Sequence, residues 1–324
     1  MANQFHDSDF PYTQSEHNLI VELPERITVL EAVAFKDTID KILASHASVE
    51  KIVLNCLQTH FIDSSGMGAL INSYKAAKKQ EIELVLQSVQ APVMEVLSMT
   101  GLADILCIES VSESQATKQL VTHPSTHCVI KRGIDIVGAI VGLLITALIF
   151  VPVAVAIKLQ SPGPIFFHQT RCGWLGKKFQ IWKFRSMYAN AEAMKAQIQN
   201  QASGAFFKND NDPRITPIGR WLRKTSIDEF PQFWNVLKGD MSLVGTRPPT
   251  PEEVECYQVP EWQRLDVKPG ITGEWQVNGR SQIRNFEDVI KLDLAYQEKW
   301  SLWYDLKLII KTVMVIFSKN SGAV

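Results

Sequence analysis

Ile136–Ile157 reads IVGAIVGLLITALIFVPVAVAI, 22 residues without a charge. As an ideal helix it would extend about 33 Å, enough to cross the hydrocarbon of a bilayer. A soluble core helix of that length and hydrophobicity would be unusual, so the stretch places the chain at a membrane. Lys131 and Arg132 stand before it and Lys158 after it. Positive charge favours the cytoplasmic side, and here both ends carry it. Pro152 lies about three-quarters of the way along. It has no N–H to donate and its ring crowds the carbonyl of Leu148, which predicts a kink. On these residues two topologies stay open: a hairpin that enters one leaflet and returns, or one crossing with a tolerated proline. A single apolar run cannot line a transport pathway.

The charge divides across this run. Residues 1–130 hold 8 Lys+Arg and 16 Asp+Glu, a net of −8, and the remainder has a net of +7. An acidic front and a basic back predict two domains with different partners. The five cysteines form no C-x-x-C pair and are odd in number, which points to free thiols in a reducing compartment. The polar, acidic start argues against a cleavable signal peptide.

Towards the N-terminus, residues 1–17 are expected as a disordered leader and 116–130 as a linker. Between them, strand-like LIVELP, RITVL, KIVLNC and IELVLQSV alternate with helical segments near 32–46, 63–79 and 91–102. That order predicts an α/β domain over 18–115. At HFIDSSGMGALI (60–71) it resembles the STAS family, the anti-sigma-factor-antagonist-like domains. The resemblance implies a docking module with a protein partner. It also makes Ser64 a candidate phosphosite, because a phosphate there would meet a helix N-terminus. Asp63 and Ser64 would equally serve as ordinary caps.

Towards the C-terminus, SPGPIFFHQTRCGWLGKKFQIWKFRSM (161–187) interleaves Arg171, Lys177, Lys178, Lys183 and Arg185 with aromatics. Next to an apolar run, that mixture suits lipid headgroups rather than nucleic acid. In TSIDEFPQ (225–232), Asp228 and Glu229 are hemmed in by Ile227 and Phe230, with Arg223 before them and Arg247 after. Pro231 fits only a first helical turn, so a helix should begin near Asp228. Arginine forks around an acidic pair predict a phosphorylated ligand and a divalent cation. A plain acidic helix cap is the alternative. VKPGITGEWQVNGRS (267–281) is a loop whose Arg280 is either a phosphate or nucleobase contact or a fold-holding residue. The tail 288–317 reads as helical with an apolar stripe, suited to an interface plane or to core packing.

From about Lys131 to the end, these motifs resemble the bacterial sugar transferase family, the monotopic polyprenol-phosphate phosphoglycosyl transferases. The resemblance implies an α+β, mainly helical monotopic domain over 159–324, entered by a re-entrant helix over 131–158 that breaks at Pro152. Many members have serine before that proline, where this chain has Val151. It implies Asp228 as the nucleophile and Glu229 as a ligand of Mg²⁺. Arg223, Arg247, Lys183, Arg185 and Arg280 are the candidate phosphate contacts. The substrates implied are a UDP-sugar and polyprenol phosphate, with UMP released, at the cytoplasmic face of the bacterial inner membrane. Self-association is expected; nucleic acid is not. The competing expectation is a STAS adaptor on an inactive, membrane-anchored transferase-like half.

Overall fold

The computed structural model describes residues 10–15, 18–45, 49–112, 122–194, 198, 200–201, 209, 211–278, 283 and 285–317. By internal contacts the chain forms two units. One takes residues 1–122 with Leu175–Lys177 and Tyr257–Asp266; the other takes His123–Trp174, Lys178–Cys256 and Val267–Val324.

In the first unit, β1 (Tyr12–Ser15), β2 (Asn18–Glu22) and β3 (Arg26–Ile27) lead to α1 (Val29–Ser45). Then come β4 (Lys51–Asn55), β5 (Phe61–Ile62), α2 (Ser64–Lys79), β6 (Glu83–Gln87), β7 (Val89–Gln90), α3 (Ala91–Thr100), β8 (Cys107–Ile108) and β9 (Val111–Ser112). The sheet runs β1-β2-β4-β6-β8, antiparallel between β1 and β2 and parallel elsewhere. β3 with β5 and β7 with β9 form two short parallel pairs. The three central residues of β4 and of β6 are buried, as in a parallel sheet whose strands are buried on both faces. α1 turns Ala32, Phe35, Ile39 and Ile42 inward at helical spacing. α3 stops at Gly101 with φ +74, the left-handed cap that glycine permits.

The expected leader is too long. Phe10 is buried edge-on against Phe35, and its N–H donates to Thr38 Oγ1 at 3.2 Å. That anchor lets the polar stretch Tyr12–Ser15 pair with β2. The expected strand RITVL is also cut short, because Val29 onward winds into α1.

The second unit opens with α4 (Pro124–His127) and α5 (Val129–Gln160). The expected linker therefore ends early, where the His123 ring accepts the Ser125 N–H and starts α4. Next come β10 (Phe166–Cys172), β11 (Lys178–Phe184), α6 (Ala191–Met194), α7 (Pro217–Lys224), α8 (Phe233–Lys238), β12 (Ser242–Val244), α9 (Pro251–Glu255), β13 (Gly270–Thr272), α10 (Glu274–Val277), α11 (Phe286–Lys299) and α12 (Leu302–Phe317). β10 and β11 form an antiparallel hairpin, and β12 pairs with β13 in parallel. The tail forms two helices rather than one, parted at Trp300–Ser301.

α5 is the spine. It is one helix of 32 residues, with Pro152 inside it. Only 22% of its most apolar window is buried, too little for a soluble core helix. The buried residues form a stripe: Lys131, Asp135, Ala139, Gly142, Thr146, Val153 and Ile157. The exposed ones form another: Val137, Val141, Leu144, Leu148, Val151, Val155 and Leu159. Both advance by three, four or seven residues, the period of one helix face.

The inward stripe is built for contact. A Cβ on Gly142 would stand 2.3 Å from the Phe233 ring, and one on Gly138 2.5 Å from Leu243. Asp135 accepts the Ser242 hydroxyl and the Leu243 N–H, both at 2.9 Å. Arg132 donates to the carbonyls of Val236 and Leu237, each at 2.7 Å. Lys131 is buried and donates to Asp305 at 2.6 Å and to the Val244 carbonyl at 3.0 Å. Asp305 also accepts from Tyr296 at 2.8 Å and Trp300 at 3.2 Å. At the far end, Val153 and Ile157 pack with Phe184 and Leu222.

Candidate active site

The acidic pair sits on a 3₁₀ turn, Ile227–Gln232, that runs directly into α8. Its entry residue, Ser226, has φ +55, a left-handed conformation uncommon outside glycine. Pro231 lies inside the turn, where the lost N–H costs little. Asp228 is 5% exposed. Burial at that level removes most of the water that would otherwise solvate a carboxylate.

β11 brings in a cation. Lys183 Nζ lies 3.3 Å from Glu229 Oε1. The strand is held at this point by Asn235 of α8, which is fully buried. Its amide donates to the Gln180 carbonyl at 2.7 Å and accepts the Trp182 N–H at 3.2 Å. Arg223, in the last turn of α7, donates through Nε to Ser186 Oγ at 2.9 Å. The Ser186 carbonyl takes the Thr216 N–H at 3.1 Å. It also lies 1.9 Å from where a Cβ on Gly219 would stand, so α7 approaches this closely only through a glycine.

Arg247 is held in a plane. It donates to both oxygens of Glu253, at 2.7 and 2.9 Å, and its guanidinium lies 5.9 Å from the Trp275 ring centre. Glu253 in turn closes a capping box with Thr250 at the start of α9. Burial alone would raise the Glu253 carboxyl, but the Arg247 charge and hydrogen bonds, with Arg171 beside them, hold it at about 2. Arg171, on β10, donates to the Pro248 carbonyl at 3.0 Å and to Gln169 at 2.8 Å. Burial, then the nearby Arg247, brings its guanidinium down to about 10, against the pull of Glu253 and Glu229.

Not every expected residue gathers here. Arg185 donates to the carbonyls of Pro162 and Ser161, just past the end of α5. It thus satisfies carbonyls at the helix exit, which is a structural task. Arg280 lies outside the described residues. Pro152 lies within α5. Ser64 belongs to the first unit, where Asp63 caps α2 by accepting the Gly66 N–H at 2.8 Å and the Ser64 side chain is fully buried. Arg171 and Glu253 were not among the expected site residues. Thr250-Pro251-Glu252-Glu253 carried a readable signal, a capping-box spacing with proline at the first helical position.

Among the described residues no group of three or more His, Cys, Asp or Glu could hold a metal. A protein cage is therefore absent there. Asp228 and Glu229 still suit an ion that takes one or two carboxylates and completes its shell from substrate phosphates, as Mg²⁺ does.

A domain with a mostly parallel sheet precedes a mainly helical unit built on one helix that is long and apolar enough to cross a membrane. Residues 126–319 match the model of the bacterial sugar transferase family, and the chain belongs to that family. Residues 9–116 match the model of the STAS domain. The chain is 48% identical over 205 residues to the galactosyl transferase CpsE of Streptococcus agalactiae, covering 63% of this chain and 45% of that one. It is 41% identical over 200 residues to the UDP-glucose:undecaprenyl-phosphate glucose-1-phosphate transferase of Caulobacter vibrioides, covering 59% and 71%. Among solved structures, an anti-sigma factor antagonist of Thermotoga maritima is 29% identical with a TM-score of 0.28, covering 31% of this chain and 84% of that one. The chain spans less than half the length of several curated relatives that it matches.

Proposed function

We propose that the protein transfers a phosphosugar from a UDP-sugar to polyprenol (undecaprenyl) phosphate at the cytoplasmic face of the bacterial inner membrane, as the first membrane step of glycan or exopolysaccharide assembly. The observation that carries this reading is the buried carboxylate of Asp228, on a turn that continues into α8, with Lys183 on its neighbour Glu229. α8 itself packs on the helix that carries the exposed apolar stripe.

A nucleotide diphosphate repels a carboxylate, so cations must first lower that repulsion. Arg223 and Arg247 are the groups for this, Arg247 with its plane already set by Glu253. Mg²⁺ held by Glu229 would add positive charge against the diphosphate when bound. An Asp228 oxygen then attacks the phosphorus that bears the sugar. The bond to UMP breaks, and its electron pair leaves on the UMP phosphate. Polyprenol phosphate next attacks the same phosphorus and frees the carboxylate. Two displacements at one centre require ping-pong kinetics.

The membrane reading is monotopic. Both halves of α5 rest on one folded unit, and the cationic residues at both ends favour the cytoplasm. The helix would dip into one leaflet and return, bending at Pro152, where Leu148 lacks its usual N–H partner. The STAS domain in front would receive a protein partner.

The test is a panel of UDP-sugars. One or a few should release UMP, stoichiometric with enzyme alone and catalytic once polyprenol phosphate is added. Acid-quenched enzyme should carry a phosphosugar on the peptide holding Asp228. A phosphosugar on another residue, or none, overturns the mechanism.

A further inference from the structure

Ten residues of the stretch that matches the sugar transferase family complete the STAS unit instead. Tyr257–Asp266 lies against α1 and α2, most of it as a 3₁₀ helix, Val259–Asp266. Trp262 is 6% exposed and covers Gly68; a Cβ there would lie 2.5 Å from the indole. Arg264 is fully buried, donating to Tyr257 Oη at 2.7 Å and lying 5.8 Å from its ring centre. Tyr257 stands edge-on to Trp262 at 6.5 Å. The segment thus has its own small core and a side chain shaped to a notch in α2.

Its last residue reaches the entrance of α2. Asp266 Oδ1 accepts the Ser64 N–H at 2.9 Å, beside Asp63, which accepts the Gly66 N–H. First-turn amides lack partners within their own helix, so each carboxylate satisfies a real demand. Two carboxylates at one buried mouth repel each other, and no ion pair joins either of them to a cation among the described residues. From α1, Glu31 adds a further negative charge toward Asp63, with Arg26 near Glu31 and the Thr28 side chain hydrogen-bonded to it. The remaining groups facing the pair are the Ser64 side chain, which favours the ionised Asp266, and the amides of Ser64, Ser65, Gly66 and Val29. Burial pushes Asp63 to about 6; burial and then the nearby Asp63 push Asp266 to about 7.

We propose that Tyr257–Asp266 is a built-in partner of the STAS fold, a strap seated on the α1–α2 face through Trp262 and Asp266, which lets go when both carboxyls of the Asp63–Asp266 pair are ionised. While seated it closes Ser64 to any modifying enzyme and occupies the face that an outside protein would use. Asp266 is followed directly by Val267, buried in the second unit's core, and β13 begins at Gly270. The inference is independent of the proposed transfer reaction, and its readout needs no substrate.

Hydrogen–deuterium exchange on the whole 324-residue chain in detergent, corrected for intrinsic rate, tests it at about pH 6 and about pH 8.5, on either side of the step that leaves both carboxyls ionised. Peptides covering 62–70 and 257–266 should loosen together at the higher pH, by at least about tenfold, while β4 stays protected. Asp266→Asn still accepts the Ser64 N–H but cannot ionise, so both peptides should stay protected at both pH values. Trp262→Ala should loosen both at the lower pH. If that variant unfolds the unit, β4 loosens too, and the Asp266→Asn comparison decides. A wild-type strap indifferent to pH, or an Asp266→Asn protein that loosens as the wild type does, overturns the proposal.

Discussion

At the scale of single residues, Asp228 and Glu253 are both buried carboxyls with opposite assignments. Glu253 is tied on both oxygens to Arg247. Its folded pKa, about 2, lies below the ordinary 4.5. The stabilisation is therefore complete above about pH 4.5 and is lost as pH falls towards 2, at most about 3 kcal/mol. Acid unfolding of Glu253→Gln should lack the part of the wild-type slope that lies in this window. Asp228→Asn should leave the melting temperature within a degree or two and lower UMP release by about a thousandfold or more, as loss of a nucleophile does. The acidic pair was legible because TSIDEFPQ is a local motif. The Arg247–Glu253 clamp was less so, since nothing in one sequence announces which arginine meets which glutamate. Arg185 looked like its neighbours in KFRSM, and only the course of the chain past Ser161 gives it a different task.

At the scale of elements, α5 depends on its inward stripe. Gly142→Leu would drive a side chain into Phe233. It should cost about 1–3 kcal/mol, read as a lower melting temperature in detergent. Asp305→Ala would leave Lys131 buried without its carboxylate, at a cost of about 3–5 kcal/mol. Lys131→Met combined with Asp305→Leu should recover much of that loss, because the penalty comes from the uncompensated charge. The existence of α5 was plain from Ile136–Ile157, yet its two faces were hidden by the uniform hydrophobicity. The signal available was size: Gly138, Gly142 and Thr146 recur at four residues, where close packing needs short side chains. β1 was hidden for the opposite reason, being polar and ordered by the buried Phe10 before it.

At the scale of the whole molecule, topology is the open measurement. Cys128 is partly exposed, but Cys172, on the other side of the apolar run, is buried, with its thiol raised by burial to about 11. Cys172 is therefore a poor reporter. With Cys107 and Cys256 replaced by serine, an impermeant thiol reagent on intact spheroplasts should label neither Cys128 nor an introduced Lys158→Cys. Both should label after lysis. Labelling of one alone before lysis would mean that α5 crosses. The order of the two domains was legible from the −8 and +7 charge division and the motifs on either side of the run. The division of Tyr257–Asp266 from its neighbours was not, because it rests on packing between residues about two hundred positions apart.

Besides the outward stripe of α5, Val137 to Leu159, the residues Trp303, Leu306, Ile310, Val313 and Met314 are exposed along α12. A chain whose oily helix faces both belong to one of its two units gathers surfactant on that unit. A neutron contrast series on the purified particle should therefore place the micelle's centre of mass away from that of the polypeptide.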